Sequence, residues 1–402
     1  MTDHEDPLGG CAVVYFGNDW HAENRTSSHH IALRLARTTP VLYVDSPGMR
    51  APGASGRDLR RALRKLLAAA RRPVPVAPGL WHCTVPQLPF RRVPGVERFN
   101  RAFSRWAVRR AMRQVGMTRC ISWFLLPHPG FLAGRLGEEL CVYYCTDDYS
   151  AHPGVDVELI ARRDRELSRV ADVLFVAPPS LLPVKRALNA NVVFAPHGVD
   201  LDVFGQASDP ATVVPAQARG LPGPVIGYFG SIHEWIDLPL VHWLASQRPD
   251  WSFLMVGHPA ANVDALRELP NVVLAGAQPY ASLGRWAGAF DVAIIPYRLN
   301  RQVANANPLK LREYLATGKP VVSVRNPEIE KFTGLVRIVD GREAFLAALD
   351  DAVAGEAPEA AAARVAAVAD QSWDRRTQDV LVVVARALAT REAPLGALTC
   401  AS

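Results

Sequence analysis

No run of about 18 uninterrupted apolar residues occurs in this sequence, so a helical membrane span is not expected. Its opening, MTDHEDPLGG, is acidic and has no basic-then-apolar stretch, so export is not expected either. Cysteine is sparse and scattered: Cys11, Cys83, Cys120, Cys141, Cys145 and Cys400, with no C-x-x-C pair. That pattern argues against a disulfide framework or zinc site and for free thiols in a reducing compartment. No D-x-D motif stands in a metal-site context. The adjacent His29 and His30 face different sides of a predicted helix and make a poor metal pair. No solenoid-type repeat is present.

What is present is a globular composition. The chain has 402 residues, 49% hydrophobic and 21% charged, enough for two domain cores. Apolar runs alternate with helical patterns. CAVVYFG, a polar loop, HHIALRLART and PVLYVDSP make a βαβ unit, and CISWFLL, CVYYCT, VLFVAP and NVVFAP are further strands. Residues 205–224 are rich in Gly, Pro and Ala and read as a linker. The alternation then restarts with PVIGYFGSI, WSFLMVG, NVVLAG, DVAIIPY and PVVSV as strands. The predicted organisation is an α/β N-terminal domain over 1–204, a linker over 205–224, a second α/β domain over 225–370, and a C-terminal helix and tail over 371–402. Two doubly wound domains of this kind hold ligands beyond the carboxyl ends of their strands, which predicts a cleft between them.

The most informative stretch is Asn305-Ala306-Asn307-Pro308-Leu309-Lys310-Leu311-Arg312-Glu313-Tyr314-Leu315-Ala316-Thr317-Gly318-Lys319-Pro320. Pro308 suits the first turn of a helix, Asn307 can cap it, and Gly318 followed by Pro320 ends it. The start of such a helix offers free N–H groups and a positive dipole. Lys310 adds a full charge there, and Glu313 lies one turn on along the same face. A lysine for a diphosphate and a carboxylate for ribose hydroxyls would hold a nucleotide diphosphate. An ordinary solvated Lys/Glu face is the alternative.

PLKLREYLATGKPVVSV resembles the nucleotide-sugar segment of GT-B glycosyltransferases, in particular the family 4-like bacterial group around teichuronic-acid and xanthan-type polysaccharide transferases. IGYFGSIHEWIDLPLV, PYASLGRWAGAFDVAIIPY and VVFAPHGVDLDVF are similar to other stretches of that family, with His197 where asparagine is commoner. The resemblance implies the GT-B fold: two Rossmann-like domains facing a central cleft, with the C-terminal helix around Trp373 crossing back. It implies transfer of a sugar from a nucleotide diphosphate sugar to a lipid-linked or polysaccharide acceptor in cell-surface glycan synthesis, with no cofactor and no metal. It implies a donor site at Pro308, Leu309, Lys310 and Glu313 with Gly230 and Ser231 at the diphosphate. The acid Glu234 stands in the same loop to meet a sugar hydroxyl, and Asp237 is read as a helix cap. A GT-B-fold epimerase or hydrolase, or a non-catalytic membrane-associated scaffold, are the alternative readings.

Tyr143-Tyr144-Cys145-Thr146-Asp147-Asp148-Tyr149 ends an apolar strand with two acids. An inverting transferase needs a base for the acceptor hydroxyl. The resemblance places an aspartate in a similar segment, with Asp148 the first choice and Asp147 the second; both could instead cap the following turn. Retaining members carry two glutamates eight positions apart at the donor helix. Here Glu313 would be the second and Asn305 stands at the first, which favours inversion. The loop after the first strand offers His21 and Arg25 for the acceptor or the donor phosphate. His128 and His197 read as turn histidines.

Net charge is +6, but 14 arginines and one lysine face only Asp58 and Glu97 between Arg57 and Arg113, a local +13 that leaves −7 elsewhere. RDLRRALRKLLAAARR sets Leu59, Leu63, Leu66 and Leu67 on one helical stripe, with Arg60, Arg61, Arg64, Lys65 and Arg71 around it. Residues 96–113 set Phe99, Phe103 and Trp106 among arginines. Basic helices with aromatic anchors predict an anionic membrane surface as partner, with the protein cytoplasmic and peripheral on the inner face of the plasma membrane. No nucleic-acid motif accompanies the charge, and nucleic acid is not an expected partner.

Overall fold

The computed structural model describes residues 6–22, 24–45, 72–88, 94–152, 154–300, 303 and 307–392. Arg60, Arg61, Arg64, Lys65 and Arg71 of the first basic segment, and Asn305, lie outside the described residues. The chain forms two compact units. The first comprises the described residues up to 22, then 26–196, and those from 376 onward; the second comprises Asn24, Arg25 and 197–375. Residues 205–224 contribute Ala207 and Ala218 to the apolar core of the second unit.

The first unit is built on an eight-stranded sheet: β1 (Ala12–Gly17), β2 (Val41–Asp45), β3 (Val74–Ala77), β4 (Leu80–Thr84), β5 (Cys120–Phe124), β6 (Leu140–Cys145), β7 (Val173–Val176) and β8 (Val192–Phe194). Their order is β3-β4-β2-β1-β5-β6-β7-β8, parallel except for the antiparallel pair β3–β4. β1, β2, β5, β6 and β7 are buried at every position. That is why each is an almost wholly apolar run, broken by Ser122 in β5 and by Asp45 at the end of β2, as strands covered on both faces tend to be. β3 and β4, which were not among the predicted strands, form an edge hairpin; two prolines interrupt its apolar pattern. The order reverses between β1 and β5, so a binding site is expected beyond the carboxyl ends there.

Helix α1 (Ser27–Leu35) follows β1, α2 (Val96–Gln114) precedes β5, and α3 (Val157–Val170) follows β6. α2 buries Asn100, Ser104, Ala107, Val108, Ala111 and Met112, a stripe of helical period. Phe99 and Trp106 are therefore turned outward, 46% and 48% exposed. Phe103 bridges them, its ring centroid 5.7 Å from each.

The second unit holds a six-stranded, all-parallel sheet: β9 (Val225–Phe229), β10 (Ser252–Val256), β11 (Val272–Gly276), β12 (Val292–Ile295), β13 (Val321–Val324) and β14 (Arg337–Val339), in the order β11-β10-β9-β12-β13-β14. Helix α4 (Leu238–Gln247) is capped by Asp237, whose carboxylate accepts from the Leu240 amide at 3.1 Å, as expected of that acid. α5 (Leu309–Thr317), α6 (Arg342–Ala354) and α7 (Pro358–Ala366) follow. The last helix, α8 (Trp373–Glu392), begins in the second unit and belongs to the first from Arg376 onward. Among the described residues no helix is long and apolar enough to cross a membrane. The five described cysteines are free; burial pushes the Cys145 thiol up to about 11, which keeps it protonated.

Candidate active site

In the second unit the chemistry gathers where β9 ends and α5 begins. Gly230 leaves β9 with φ +130°, a region closed to most side chains. A Cβ there would lie 2.4 Å from Cε of Lys310 and 3.2 Å from the Tyr228 hydroxyl. Gly257, after β10, comes equally close: a Cβ on it would sit 1.9 Å from the Gly230 carbonyl oxygen. The absent side chains leave backbone and the lysine stem in direct contact. Arg25, Gly230, Gly257, Gln278, Tyr280 and Lys310 line a small hollow. Sequence reasoning offered Arg25 to the acceptor or the donor phosphate; it is grouped with the second unit, beside Lys310.

Lys310 donates from Nζ to Glu313 Oε2 at 2.7 Å, and its ammonium stands 5.3 Å from the Phe229 ring centroid. Glu313 is buried and Lys310 half-buried. A salt bridge one helical turn apart thus sits with its cationic end toward the hollow and its anionic end in the protein. Phe229 is itself fixed, its amide donating to the Tyr314 hydroxyl at 3.0 Å.

The start of α5 differs from expectation. The capping position is Pro308, not Asn307, and no side chain caps the helix. Asn307 Oδ1 instead accepts from Arg312 at 2.6 Å. The same buried guanidinium donates to Glu328 at 2.7 Å and to Gln371 at 2.9 Å. Asn307 is drawn inward because a buried arginine must have all its donors met. The first amides of a helix have no partner within it, and here no cap intervenes. Gly318 ends the helix in the left-handed conformation at φ +71°, as its position foretold. Ser231 is half-buried, with Tyr228 donating to its carbonyl oxygen at 3.1 Å, and Glu234 is exposed and outside the lining of the hollow.

In the first unit, β6 runs into Asp147 and Asp148. Asp147 Oδ1 accepts from the Asp148 amide at 2.8 Å, and Oδ2 pairs with Nε2 of His152 at 2.8 Å. Asp148 Oδ1 accepts from the Ser150 hydroxyl at 2.6 Å. Burial lowers the His152 pKa, but the hydrogen bond and charge of Asp147, with the charge of Asp148, outweigh it and raise the pKa overall. His21 is exposed, its ring edge-on to His82 at 5.0 Å. His82 pairs with Asp45 at 2.7 Å. Sequence reasoning missed His152, Asp45 and His82; a histidine five positions after an aspartate was the only available signal. It also missed Arg312, although that residue stands inside the stretch read most closely. Among the described residues no group of three or more His, Cys, Asp or Glu could hold a metal ion.

Residues 223–370 match the family described as Glycosyl transferases group 1. The chain is 28% identical over 232 residues to a Bacillus subtilis (strain 168) protein named as a teichuronic acid biosynthesis glycosyltransferase, TuaH. That match covers 53% of this chain and 57% of the relative, so the chain spans little more than half of the relative's length. Among solved structures, sucrose-phosphate synthase from Thermosynechococcus elongatus superposes with a TM-score of 0.68 at 15% identity, over 94% of this chain and 100% of that one. An E. coli trehalose-6-phosphate protein bound with UDP-2-fluoro glucose gives 0.67 at 11% identity, over 94% and 99%. Anabaena HepE in complex with UDP and glucose gives 0.62 at 11%, over 93% and 99%. The fold is that of the GT-B glycosyltransferases. Within it, residues 223–370 are the part that matches the group 1 glycosyltransferase model.

Proposed function

We propose that the protein is a glycosyltransferase that moves a sugar from a nucleotide diphosphate sugar to a lipid-linked or polysaccharide acceptor in cell-surface glycan synthesis. The observation that carries this is the Lys310 ammonium beside the side-chain-free Gly230 turn, at the uncapped start of α5, within the group 1 domain. A diphosphate in that hollow meets one full positive charge, a second from Arg25, and unpaired helix amides. Glu313 is the carboxylate for the ribose, with Pro308, Leu309, Ser231 and Glu234 around the donor. The Asp147–Asp148 segment of the first unit removes the acceptor proton, and His21 meets the acceptor. No metal is required, because Lys310 and Arg25 neutralise the leaving diphosphate. Two of the structural neighbours hold UDP compounds, which supports a nucleotide sugar as donor.

The same proposal includes an anionic membrane surface, reached from the cytoplasmic side. Exposed Phe99 and Trp106 lie among Arg98 and Arg105 on the outer face of α2, which suits an interface of anionic headgroups. The testing experiment is a thermal-shift screen of nucleotide diphosphate sugars on the full chain. A ligand that binds only the folded state raises the Tm, by an increment that grows with concentration over Kd. A rise with one or more nucleotide sugars, matched by the free nucleoside diphosphate, is expected. No rise with any of them refutes the donor site.

A further inference from the structure

We infer that the second unit carries a further binding site, in which Lys319 and Arg364 hold the phosphate group of a small organic phosphate. This site is separate from the hollow at Lys310 and does not rest on the donor reading.

The two hollows lie at opposite ends of α5. Lys310 stands at its start. Beyond its end, Asp291, Gly318, Lys319, Gly355, Glu356 and Arg364 line a second hollow of about 570 Å³. Asp291 directly precedes β12, Lys319 and Pro320 precede β13, and Gly355 and Glu356 follow α6. The hollow therefore opens at the amino ends of the strands, whereas Gly230 follows the carboxyl end of β9. Nine residues of α5 separate the two, roughly 13 Å of helix. Every residue of the second hollow belongs to the second unit. Its size exceeds that of one phosphate and suits a small molecule. Val353 and Ala361 give it an apolar side.

The hydrogen bonds around this hollow leave donors without acceptors. Glu356 accepts on both oxygens, Oε1 from Arg337 and Oε2 from Arg364. Burial opposes its charge, but the two guanidinium bonds prevail and lower its pKa, so it stays an anion and has no oxygen left for a further donor. Arg364, its side chain only 4% exposed, donates from Nε to the Gly318 carbonyl at 3.0 Å and from Nη2 to Glu356. Its Nη1 has no hydrogen-bond partner among the described residues. Lys319 is half-buried, and its ammonium reaches only the Gly288 carbonyl, at 3.4 Å. It makes no ion pair among the described residues. Burial lowers the Lys319 pKa, and the charge of Asp291 restores only part of it.

Two cationic groups in one hollow thus keep donors to offer, while the buried carboxylate beside them is already matched. A partly desolvated donor gains most from an acceptor that carries charge. The two approach from different elements, Lys319 from the turn after α5 and Arg364 from α7. A tetrahedral oxyanion presents oxygens in several directions and serves both at once. Asp291 accepts from the Val225 amide on Oδ2 at 2.7 Å. Its Oδ1 takes no hydrogen bond among the described residues and suits a hydroxyl on the organic part of the ligand.

The test titrates the full chain with inorganic phosphate and with glycerol 3-phosphate at constant ionic strength. The chain has five lysines, so ¹³C-dimethylation of their amines gives few enough NMR signals to assign one by one with Lys→Arg replacements. The Lys319 signal should move saturably with both probes, and should move likewise in Lys310→Met. Calorimetry in the Lys310→Met background isolates the second hollow. There, adding Lys319→Met should weaken phosphate binding by about tenfold or more, and adding Lys319→Arg should spare it. A Lys319 signal that stays in place with both probes overturns the inference. So does one that follows chloride or acetate as closely as phosphate, or an unchanged phosphate Kd in a folded Lys319→Met variant. Movement of the Lys310 signal reports on the donor hollow alone, so either reading can fail without the other.

Discussion

Lys310→Met gives the sharpest test of the donor site. The substitution keeps most of the stem that packs against Gly230 and removes only the ammonium. Two effects then separate. The first is on binding: a hydrogen bond to a charged group is worth about 1.5–3 kcal/mol, and each 1.4 kcal/mol is tenfold in Kd. The affinity for UDP should therefore fall by roughly 10- to 150-fold. The second is on stability. Lys310 and Glu313 are 2.7 Å apart with side chains 19% and 5% exposed, so the variant leaves a nearly buried carboxylate without its cation. Breaking a fully buried pair costs about 3–5 kcal/mol, and the partial exposure of Lys310 puts this case at the lower end. Calorimetric titration with UDP reads the first effect, and thermal unfolding without ligand reads the second. Lys310→Arg keeps the charge and should retain most of the affinity. A UDP Kd within twofold of wild type in a folded Lys310→Met variant would refute the reasoning, whatever the Tm did.

Three further outcomes follow from the same structure. Gly230→Ala places a methyl 2.4 Å from Lys310 Cε at φ +130°; it should cost about 1–3 kcal/mol of stability and weaken UDP binding at least tenfold by displacing the ammonium, read by denaturant melts and calorimetry. Burial, aided by the Arg312 charge, lowers the His197 pKa to about 3. The folded state then binds fewer protons than the unfolded state below pH 6.5, so stability present at pH 7 is lost as pH falls, by about 2 kcal/mol at pH 5. His197→Asn should flatten that acid limb in urea melts at pH 5 and 7, and an unchanged slope would count against it. Paired Phe99→Ser and Trp106→Ser changes should abolish sedimentation with anionic vesicles at moderate salt while leaving UDP affinity alone; undiminished sedimentation removes α2 as the membrane face.

Where a strand is buried on both faces, its sequence announces it. β1, β6 and β9 stand as apolar and aromatic runs because every position on them is buried. β3 and β14 are short and lie at the sheet edges, with no fully buried position, so VPVA and RIV carry no such signature. Helix α5 was legible for a different reason: Pro308 and Gly318 punctuate it, and both stand at its ends. The assignment of Asn307 failed because a cap is read from local order alone. The residue that claims Asn307 is Arg312, whose other partners, Glu328 and Gln371, come from distant parts of the sequence. The pair Asp147–His152 was hidden likewise, since nothing in DDYSAH says that the turn folds the imidazole back onto the first acid.

Arg312 also explains how an uncapped helix can present its start at a fixed place. A capping side chain would hold the first turn from outside, and would cover the amides that an anion needs. Here the fixing force comes from inside the fold. One guanidinium, itself almost wholly buried, joins Asn307, two residues before α5, to Glu328 beyond β13 and Gln371 before α8. Lys331 adds a second cation on the other oxygen of Glu328 at 2.6 Å, so that carboxylate is matched on both sides. A buried arginine can serve three acceptors in different directions because its donors are spread over a rigid plane, which a lysine cannot imitate. The same charge bears on His197, whose imidazole stays neutral beside it. Asparagine at that position would meet the guanidinium without any proton to lose. The acid sensitivity expected of this chain is therefore a consequence of carrying histidine next to the arginine that holds the start of α5 in place.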